Sequence, residues 1–327
     1  MVDVKTFLKE LYSCFPLENK SDSTFYQFAQ SIFDKFLLSL NELNDLDLKY
    51  VLQNGKFPDF EGNFSKIRFI NLMKHITDDF LSLLSLCYHG DFLSSSSLLN
   101  QMFCKSRYRL YLTDIYLNYI DFSFEDYQDL CFYRMRDEYR YDKDNKPIIV
   151  DNCWHVPFNL RRYAYTGRFS QLGYPCLYLG DSMKTCEEEL GPLDKDIRWC
   201  SSFKPKMKFS LYDLRVPSSK TIEKFSLYEQ FSSLITYPLL VLCSVNSRYK
   251  GFNEEYYIPQ LLFNYLFNNL KDMNSHIGII YSSVKNPGGY NIVMPAFYKG
   301  KLPPKNGYSD FLMQIFEQKG PFKCKEH

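Results

Sequence analysis

The sequence TGRFSQLGYPCLYLGDSMKTCEEEL, residues 166–190, decides the fold class of the chain. Its apolar run CLYLG has the length and composition of a buried strand. Ser182 follows this run and can cap the N–H groups of a helix that continues through MKTCEEEL. A strand that passes directly into a short helix predicts a domain that mixes both kinds of element.

Other strand-length apolar runs lie on both sides of this stretch. They are LCFYRM, KFSLYDL, LLVLCS, IGIIY and NIVMP, and all lie between residues 130 and 295. A further helix is predicted for YYIPQLLFNYLFNNL, because Pro259 is tolerated only in the first turn. Strands with interspersed helices and without a regular βαβ repeat predict an α+β fold, not a doubly wound parallel sheet.

The first part of the chain has a helical pattern. In STFYQFAQSIFDKFLLSL, apolar side chains recur every three or four residues, as in a helix with one buried face. These side chains are Phe25, Phe28, Ile32, Phe36 and Leu40. Asp22 and Ser23 are the expected caps, a second helix is predicted for FSKIRFINLMKHITDDFLSLLSL, and the SSSS at 94–97 marks a loop or a helix start. We predict a mostly α-helical N-terminal region at residues 1–125 and a second domain at 126–327.

The composition limits the classes of function. With 39 basic and 38 acidic residues the formal net charge is +1, so the total charge favours neither nucleic acid nor a membrane surface as a partner. None of the ten cysteines forms a C-x-x-C pair or has a histidine at zinc-ligand spacing, so no metal site is predicted. The N-terminus lacks a signal-peptide core, and no apolar stretch is long enough to span a membrane. We therefore expect a reduced, cytoplasmic protein.

Motifs of the common phosphate and dinucleotide sites are missing from the sequence. It contains no G-x-x-x-x-G-K-[ST], no G-x-G-x-x-G, no G-x-S-x-G and no H-E-x-x-H. With only 14 glycines, phosphate groups would be bound mainly by side chains, and arginine is the natural choice.

Five short segments occur in a characteristic order in the strand-rich region. They are FYRMR at 132–136, GRF at 167–169, LYLGDS at 177–182, EEEL at 187–190 and GIIYSS at 278–283. In order and spacing they resemble the RES domain, a family named for its Arg, Glu and Ser residues. The resemblance implies a fold similar to that of ADP-ribosyltransferases. The better-known members of the family are toxins that degrade NAD⁺ by hydrolysis or phosphorolysis, often beside an antitoxin.

The resemblance also implies a set of site residues. These are Arg134, Arg168, Tyr178, Glu189 and Ser283. The expected catalytic residues are Glu189, Arg134 and Ser283. The residues expected to bind NAD⁺ are Arg134, Arg168, Tyr178 and Ser283, with NAD⁺ as the substrate and no further cofactor.

Two of these positions have a close rival in the sequence. Arg136 competes with Arg134, because residues two apart on a strand face the same side. Ser282 is the neighbour of Ser283. His155 is a tempting base, but we interpret it as structural because the expected chemistry requires no strong base.

The choice of glutamate also stays open on the helical pattern alone. If Met183, Cys186 and Leu190 form the buried face, Glu187 lies closest to it and Glu189 lies to one side. Glu188 points away, so the pattern excludes it but does not choose between the other two. The spacing implied by the family resemblance selects Glu189.

These residue types suit cleavage of the nicotinamide–ribose bond, so the predicted function is an NAD⁺ glycohydrolase or phosphorylase that acts as a toxin or defence effector. Alternatives are ADP-ribosyl transfer onto a protein or nucleic acid, and a non-catalytic module that binds NAD⁺ or ADP-ribose. Expected partners are NAD⁺ and an antitoxin or regulatory protein. No membrane or nucleic-acid partner is expected.

Overall fold

The computed structural model of the chain describes residues 1–19, 23–54, 65–103, 119–122, 130–137, 153–192, 198–246, 253–267, 276–298 and 300–324. Its strands, numbered in chain order, are β1 Leu17–Glu18, β2 Tyr119–Phe122, β3 Phe132–Asp137, β4 Cys176–Gly180, β5 Arg198–Pro205, β6 Phe209–Leu214, β7 Val245–Asn246, β8 His276–Ser282, β9 Tyr290–Pro295 and β10 Phe316–Lys323. Its helices are α1 Val4–Ser13, α2 Phe25–Ser39, α3 Asp45–Asn54, α4 Lys66–Tyr88, α5 Phe92–Phe103, α6 Met183–Leu190, α7 Ser219–Glu223, α8 Leu227–Cys243, α9 Tyr257–Phe267 and α10 Asp310–Ile315. Short 3₁₀ helices lie at Leu40–Glu42, Phe158–Tyr163 and Glu254–Tyr256.

The chain forms two compact units, and neither is one continuous stretch of sequence. The first consists of Met1–Asn118 and Val216–Asn269, and the second of Tyr119–Arg215 and Leu270–His327. The predicted boundary between residues 125 and 126 does not separate these units, because the segment 216–269 groups with the N-terminal helices. As the limits of a sequence-family domain, 1–125 and 126–327 stay a prediction.

Helix α8 explains why this segment belongs to the helical unit. Every residue from Gln230 to Cys243 is buried, so the helix requires neighbours on all sides. The prediction of a strand for LLVLCS is wrong, since these residues form the last turns of α8 and its end. A short apolar run does not distinguish a buried strand from a buried helix.

The predicted N-terminal helices are present, with corrections at their ends. Helix α2 begins after Thr24, whose hydroxyl accepts the Gln27 N–H in a capping box, so Ser23 is not the cap. Asp22, the other expected cap, lies outside the described residues. The SSSS segment lies within α5, and α9 carries Pro259 in its first turn as predicted.

Within its described residues, the second unit is built on an eight-stranded sheet with the order β10-β5-β3-β4-β9-β8-β6-β2. Neighbouring strands pair antiparallel except β6 and β8, which pair in parallel. This topology confirms the α+β prediction, because a doubly wound sheet would be mostly parallel.

Strand register assigns residues to the two faces of this sheet. Leu179 pairs with Ile292 and Ile292 with Ile280, and these three belong to the main apolar core of the unit. Gly180 pairs with Asn291 and Asn291 with Tyr281. Because side chains alternate along a strand, Gly180, Asn291 and Tyr281 lie on the opposite face, together with Tyr178.

The sheet has one weakly paired seam. Strands β3 and β4 are joined only through Tyr133 and Gly180, whereas β3 pairs with β5 from Phe132 to Asp137 and β4 pairs with β9 from Cys176 to Gly180. Two well-paired halves of the sheet therefore meet at a single residue pair.

Candidate functional site

Helix α6 carries the predicted glutamate and begins where strand β4 ends. Ser182 caps it by accepting the Thr185 N–H at 3.1 Å. The buried residues of the helix are Thr185 and Cys186, whereas Met183 and Leu190 are 52% and 38% exposed. Of the buried face assumed from the sequence, Cys186 is therefore correct, and Met183 and Leu190 are wrong.

This correction separates the two candidate glutamates. Glu189 lies one turn after Thr185 and Cys186, on the side of the helix that faces the sheet. Glu187 lies on the side of Arg198, whose pKa its charge helps to raise, behind the larger effect of Asp137.

Glu189 is held by two side chains from the neighbouring strands. Its Oε1 accepts a hydrogen bond from Ser283 Oγ at 2.7 Å and another from Asn291 Nδ2 at 2.7 Å. Ser283 directly follows β8 and is buried, and Asn291 is buried within β9. Two of the predicted residues, Glu189 and Ser283, are thus in direct contact although they are 94 positions apart.

The turn between β8 and β9 also contacts the N-terminal turn of α6. Ser283 Oγ accepts the N–H groups of Lys285 and Asn286 at 3.2 and 2.9 Å. Asn286 Nδ2 donates to Thr185 Oγ1 at 2.8 Å, and Thr185 Oγ1 donates to Asp181 at 2.5 Å. The turn therefore contacts both the first and the last turn of the helix.

A glycine is required at the end of this turn. A Cβ atom on Gly289 would lie 2.4 Å from Thr185 Oγ1 and 2.6 Å from Asn286 Nδ2. Any larger residue would push apart the Asn286–Thr185 pair.

Tyr178 anchors the segment that contains Arg168. Its hydroxyl donates to Ser170 Oγ at 3.0 Å and accepts the Phe169 N–H at 3.3 Å. A Cβ atom on Gly167 would lie 2.8 Å from the same hydroxyl, which explains the glycine before Arg168. The Phe169 ring packs against Tyr281 with centroids 4.8 Å apart, so this segment covers the sheet face that bears Asn291.

Arg134 lies at the seam of the sheet, next to the Tyr133–Gly180 pair. Its side chain is half-buried, and its Nη1 is buried without a hydrogen-bond partner among the described residues. Burial and, to a smaller extent, the charge of Arg136 together lower the pKa of Arg134 to about 9, so the group stays protonated at neutral pH. Tyr178 and Cys186 are among its electrostatic neighbours.

The rival arginine has a structural bond. Arg136 Nη2 donates to the Trp154 carbonyl at 2.9 Å. A buried guanidinium donor without an acceptor costs free energy, and a bound anion would supply that acceptor. Arg134 is therefore a better candidate than Arg136 for an anion-binding residue. Arg168 is 8% exposed and lies beside Phe169, within the segment that Tyr178 anchors.

His155 has the contacts of a structural residue. Its Nδ1 lies 2.8 Å from the Val156 carbonyl and its Nε2 accepts the Ser309 N–H at 2.9 Å, so the ring is neutral with the proton on Nδ1. Burial lowers the pKa of His155 to about 4. Both nitrogens are used to fix backbone, which agrees with the structural interpretation.

Sequence reasoning missed the polar residues that surround Glu189. Asn291, Asn286 and Thr185 were not among the predicted site residues. For Asn291 the available signal was its position at the start of NIVMP, where a polar residue opens an otherwise apolar run.

Comparison with known proteins identifies the family. The model of the RES domain matches residues 139–303, about half of the chain, and the chain belongs to this family. Arg134 lies just before the matched segment. The chain is 30% identical over 167 residues to a protein of Bacillus subtilis (strain 168) named "Putative toxin YopC", a match that covers 47% of this chain and 36% of that protein. No solved structure matches the chain significantly.

Proposed function

We propose that this protein cleaves NAD⁺ between nicotinamide and ribose, with water or phosphate as the acceptor of ADP-ribose. The observation that carries the proposal is the carboxylate of Glu189, which is fixed through one oxygen on the sheet face that also bears Tyr178. Membership of the RES family supports the same assignment.

The chemistry needs few groups from the protein. Loss of nicotinamide gives the ribose an oxocarbenium-like character, as in glycoside hydrolysis. Nicotinamide leaves a pyridinium as a neutral molecule, so no general acid is required. A single carboxylate near the anomeric carbon stabilises the developing positive charge and orients the ribose hydroxyls. Glu189 is the residue proposed for this role.

Recognition of the substrate requires cations and an aromatic surface. NAD⁺ carries a pyrophosphate, which arginine binds with paired hydrogen bonds. In the proposal Arg134 and Arg168 meet this group, and the buried Nη1 of Arg134 gains the acceptor that it lacks within the described chain. Tyr178 contributes the aromatic face near nicotinamide.

The proposed setting is that of a toxin controlled by an antitoxin or another regulatory protein, in the cytoplasm. The relative from Bacillus subtilis has the name "Putative toxin YopC". The nine described cysteines are all free thiols, as expected in a reducing compartment. None of the described helices is long and apolar enough to cross a bilayer.

The test is a product analysis with purified protein and NAD⁺ labelled in the adenosine half. We expect free nicotinamide and labelled ADP-ribose, or its 1″-phosphate when phosphate is supplied. Expression of the wild type in a bacterial cell should lower NAD⁺ and arrest growth. Label that stays fixed to a protein or nucleic-acid band after denaturation would establish the transferase alternative. Binding of NAD⁺ without any product would leave the non-catalytic alternative.

A further inference from the structure

We propose that Ser283 and Asn291 are positioning residues that act as a pair, holding Oε1 of Glu189 so that Oε2 is presented to the substrate. This inference rests on the proposed NAD⁺ cleavage and specifies how its site works. It assigns a role to Asn291, which the sequence did not mark, and changes the role of Ser283 from contact with substrate to support of the carboxylate.

The first argument is the geometry at Oε1. Its two donors lie at equal distances of 2.7 Å and come from different segments, since Ser283 directly follows β8 and Asn291 lies within β9. Asn291 is paired on both sides, with Gly180 and with Tyr281, so its backbone position is fixed by the middle of the sheet. Such donors restrict the rotation of a side chain on a short helix.

The second argument is the hydrogen-bonding capacity of Ser283. A hydroxyl has one proton to donate and two lone pairs that accept. The proton goes to Glu189, and the lone pairs take the N–H groups of Lys285 and Asn286. Its capacity is therefore filled, and no part of it remains for NAD⁺ while Glu189 is in place.

The third argument concerns the other carboxylate oxygen. Within the described residues, Oε2 of Glu189 has no hydrogen-bond partner. Glu189 is an exposed residue at the end of α6, so a ligand can reach this oxygen. An oxygen with both lone pairs unused can accept a ribose hydroxyl and face the anomeric carbon. The two carboxylate oxygens thus have different tasks, one bound to the protein and one offered to the ligand.

The decisive variants are N291A and N291D. N291A removes one donor, and we expect kcat for nicotinamide release to fall about 10-fold or more with KM nearly unchanged. N291D keeps the shape of the side chain but sets a second carboxylate against Oε1, so its kcat should be lower still.

A residue that only packs β9 would give the opposite order, because aspartate preserves packing better than alanine. N306D serves as the matched control, since Asn306 is exposed and its Oδ1 acceptor is retained.

The Ser283 variants keep the test independent of how well β9 tolerates change. S283A should lower kcat with KM preserved. S283T retains the hydroxyl, so its kcat should lie much closer to the wild-type value than that of S283A. Full kcat in S283A, or a loss in S283A that appears in KM alone, would overturn the pairing.

Crystal structures of the wild type and N291D provide a readout that needs no turnover. We expect the Glu189 carboxylate to have left its position beside Ser283 in N291D. If it stays in place, the positioning role is refuted whatever the kinetics. If it moves while the wild type never releases nicotinamide, the anchor stands and the proposed reaction fails.

Discussion

Replacement of Glu189 by glutamine separates the charge of this side chain from its shape. The amide oxygen of glutamine can accept the same two hydrogen bonds, from Ser283 and Asn291, that Oε1 accepts now. The amide NH₂ then takes the place of Oε2. The variant therefore keeps the anchor and loses the negative charge and the acceptor that would face the substrate.

The expected loss follows from this geometry. Removal of a main electrostatic stabiliser of a transition state costs about 10²–10³ in kcat, or about 2.7–4 kcal/mol. The free energy of unfolding should change by less than about 0.5 kcal/mol, because Glu189 is an exposed residue and both of its bonds can be re-formed. E188Q is the matched control, since Glu188 is an exposed neighbour on the same helix, and it should keep wild-type kcat.

The assay is the initial rate of nicotinamide release, measured by chromatography at saturating NAD⁺, beside urea unfolding of the same samples. Wild-type turnover in E189Q would refute the role of the charge. A large drop in stability of E189Q would refute the claim that glutamine preserves the anchor. Equal losses in E189Q and E188Q would show that the helix as a whole, not this carboxylate, matters.

Three further predictions concern residues around the site. R134M should bind NAD⁺ at least about 10-fold more weakly, because the proposed pyrophosphate contact is lost, and it should keep the stability of the ligand-free protein, because the lost donor is unpaired. R136M should lower the melting temperature, because it breaks the bond to the Trp154 carbonyl. Burial lowers the pKa of His155 from 6.5 in the unfolded chain to about 4 in the folded protein, so the unfolded state takes up a proton at a higher pH than the folded state. The free energy of unfolding should therefore decline by about 3 kcal/mol as the pH falls from 6.5 to 4. H155Q should flatten that decline in urea titrations, and an unchanged slope would contradict the assignment. G180A should destabilise the protein by about 1–3 kcal/mol, because the new Cβ would lie 2.8 Å from Cys186 Sγ, and the double variant G180A/C186A should recover most of it in thermal melts. No recovery would show that the contact is not the cause.

Local signals in the sequence were sufficient for the strand and helix that carry the site. CLYLG forms β4 from Cys176 to Gly180, and Ser182 caps α6 as expected. Both rest on chemistry within a few residues, namely a strand-length apolar run and a capping hydroxyl. Such signals do not depend on the rest of the fold.

Predictions that depended on distant partners were less successful. LLVLCS forms a helix because neighbours in the first unit cover every side of α8, and nothing in the run itself reveals those neighbours. The buried face of α6 was misjudged for the same reason, since Thr185 is buried by its bonds to Asp181 and Asn286 and not by its own apolarity.

The roles of the predicted site residues could be narrowed only by contacts across the sheet. The sequence left Glu187 and Glu189 open, as well as Ser282 and Ser283. The bond between Glu189 and Ser283 joins the turn after strand β8 to helix α6 over 94 positions, which no local pattern encodes. Assignment of catalytic and binding roles stays a prediction until the variants are measured.

The interleaving of the two units has a consequence for how the chain can be made and divided. During synthesis the helices of residues 1–118 leave the ribosome about 100 residues before the segment 216–269, which completes their unit, so their apolar surface stays uncovered until that segment is made. The sheet likewise stays unfinished until β8, β9 and β10 follow from beyond residue 269. A cut at residue 118 would therefore divide the first unit, with 1–118 on one side and 216–269 on the other, while all of the second unit stays on the C-terminal side. Expression of the second unit alone should be attempted with 216–269 excised and bridged, and not by truncation from the N-terminus.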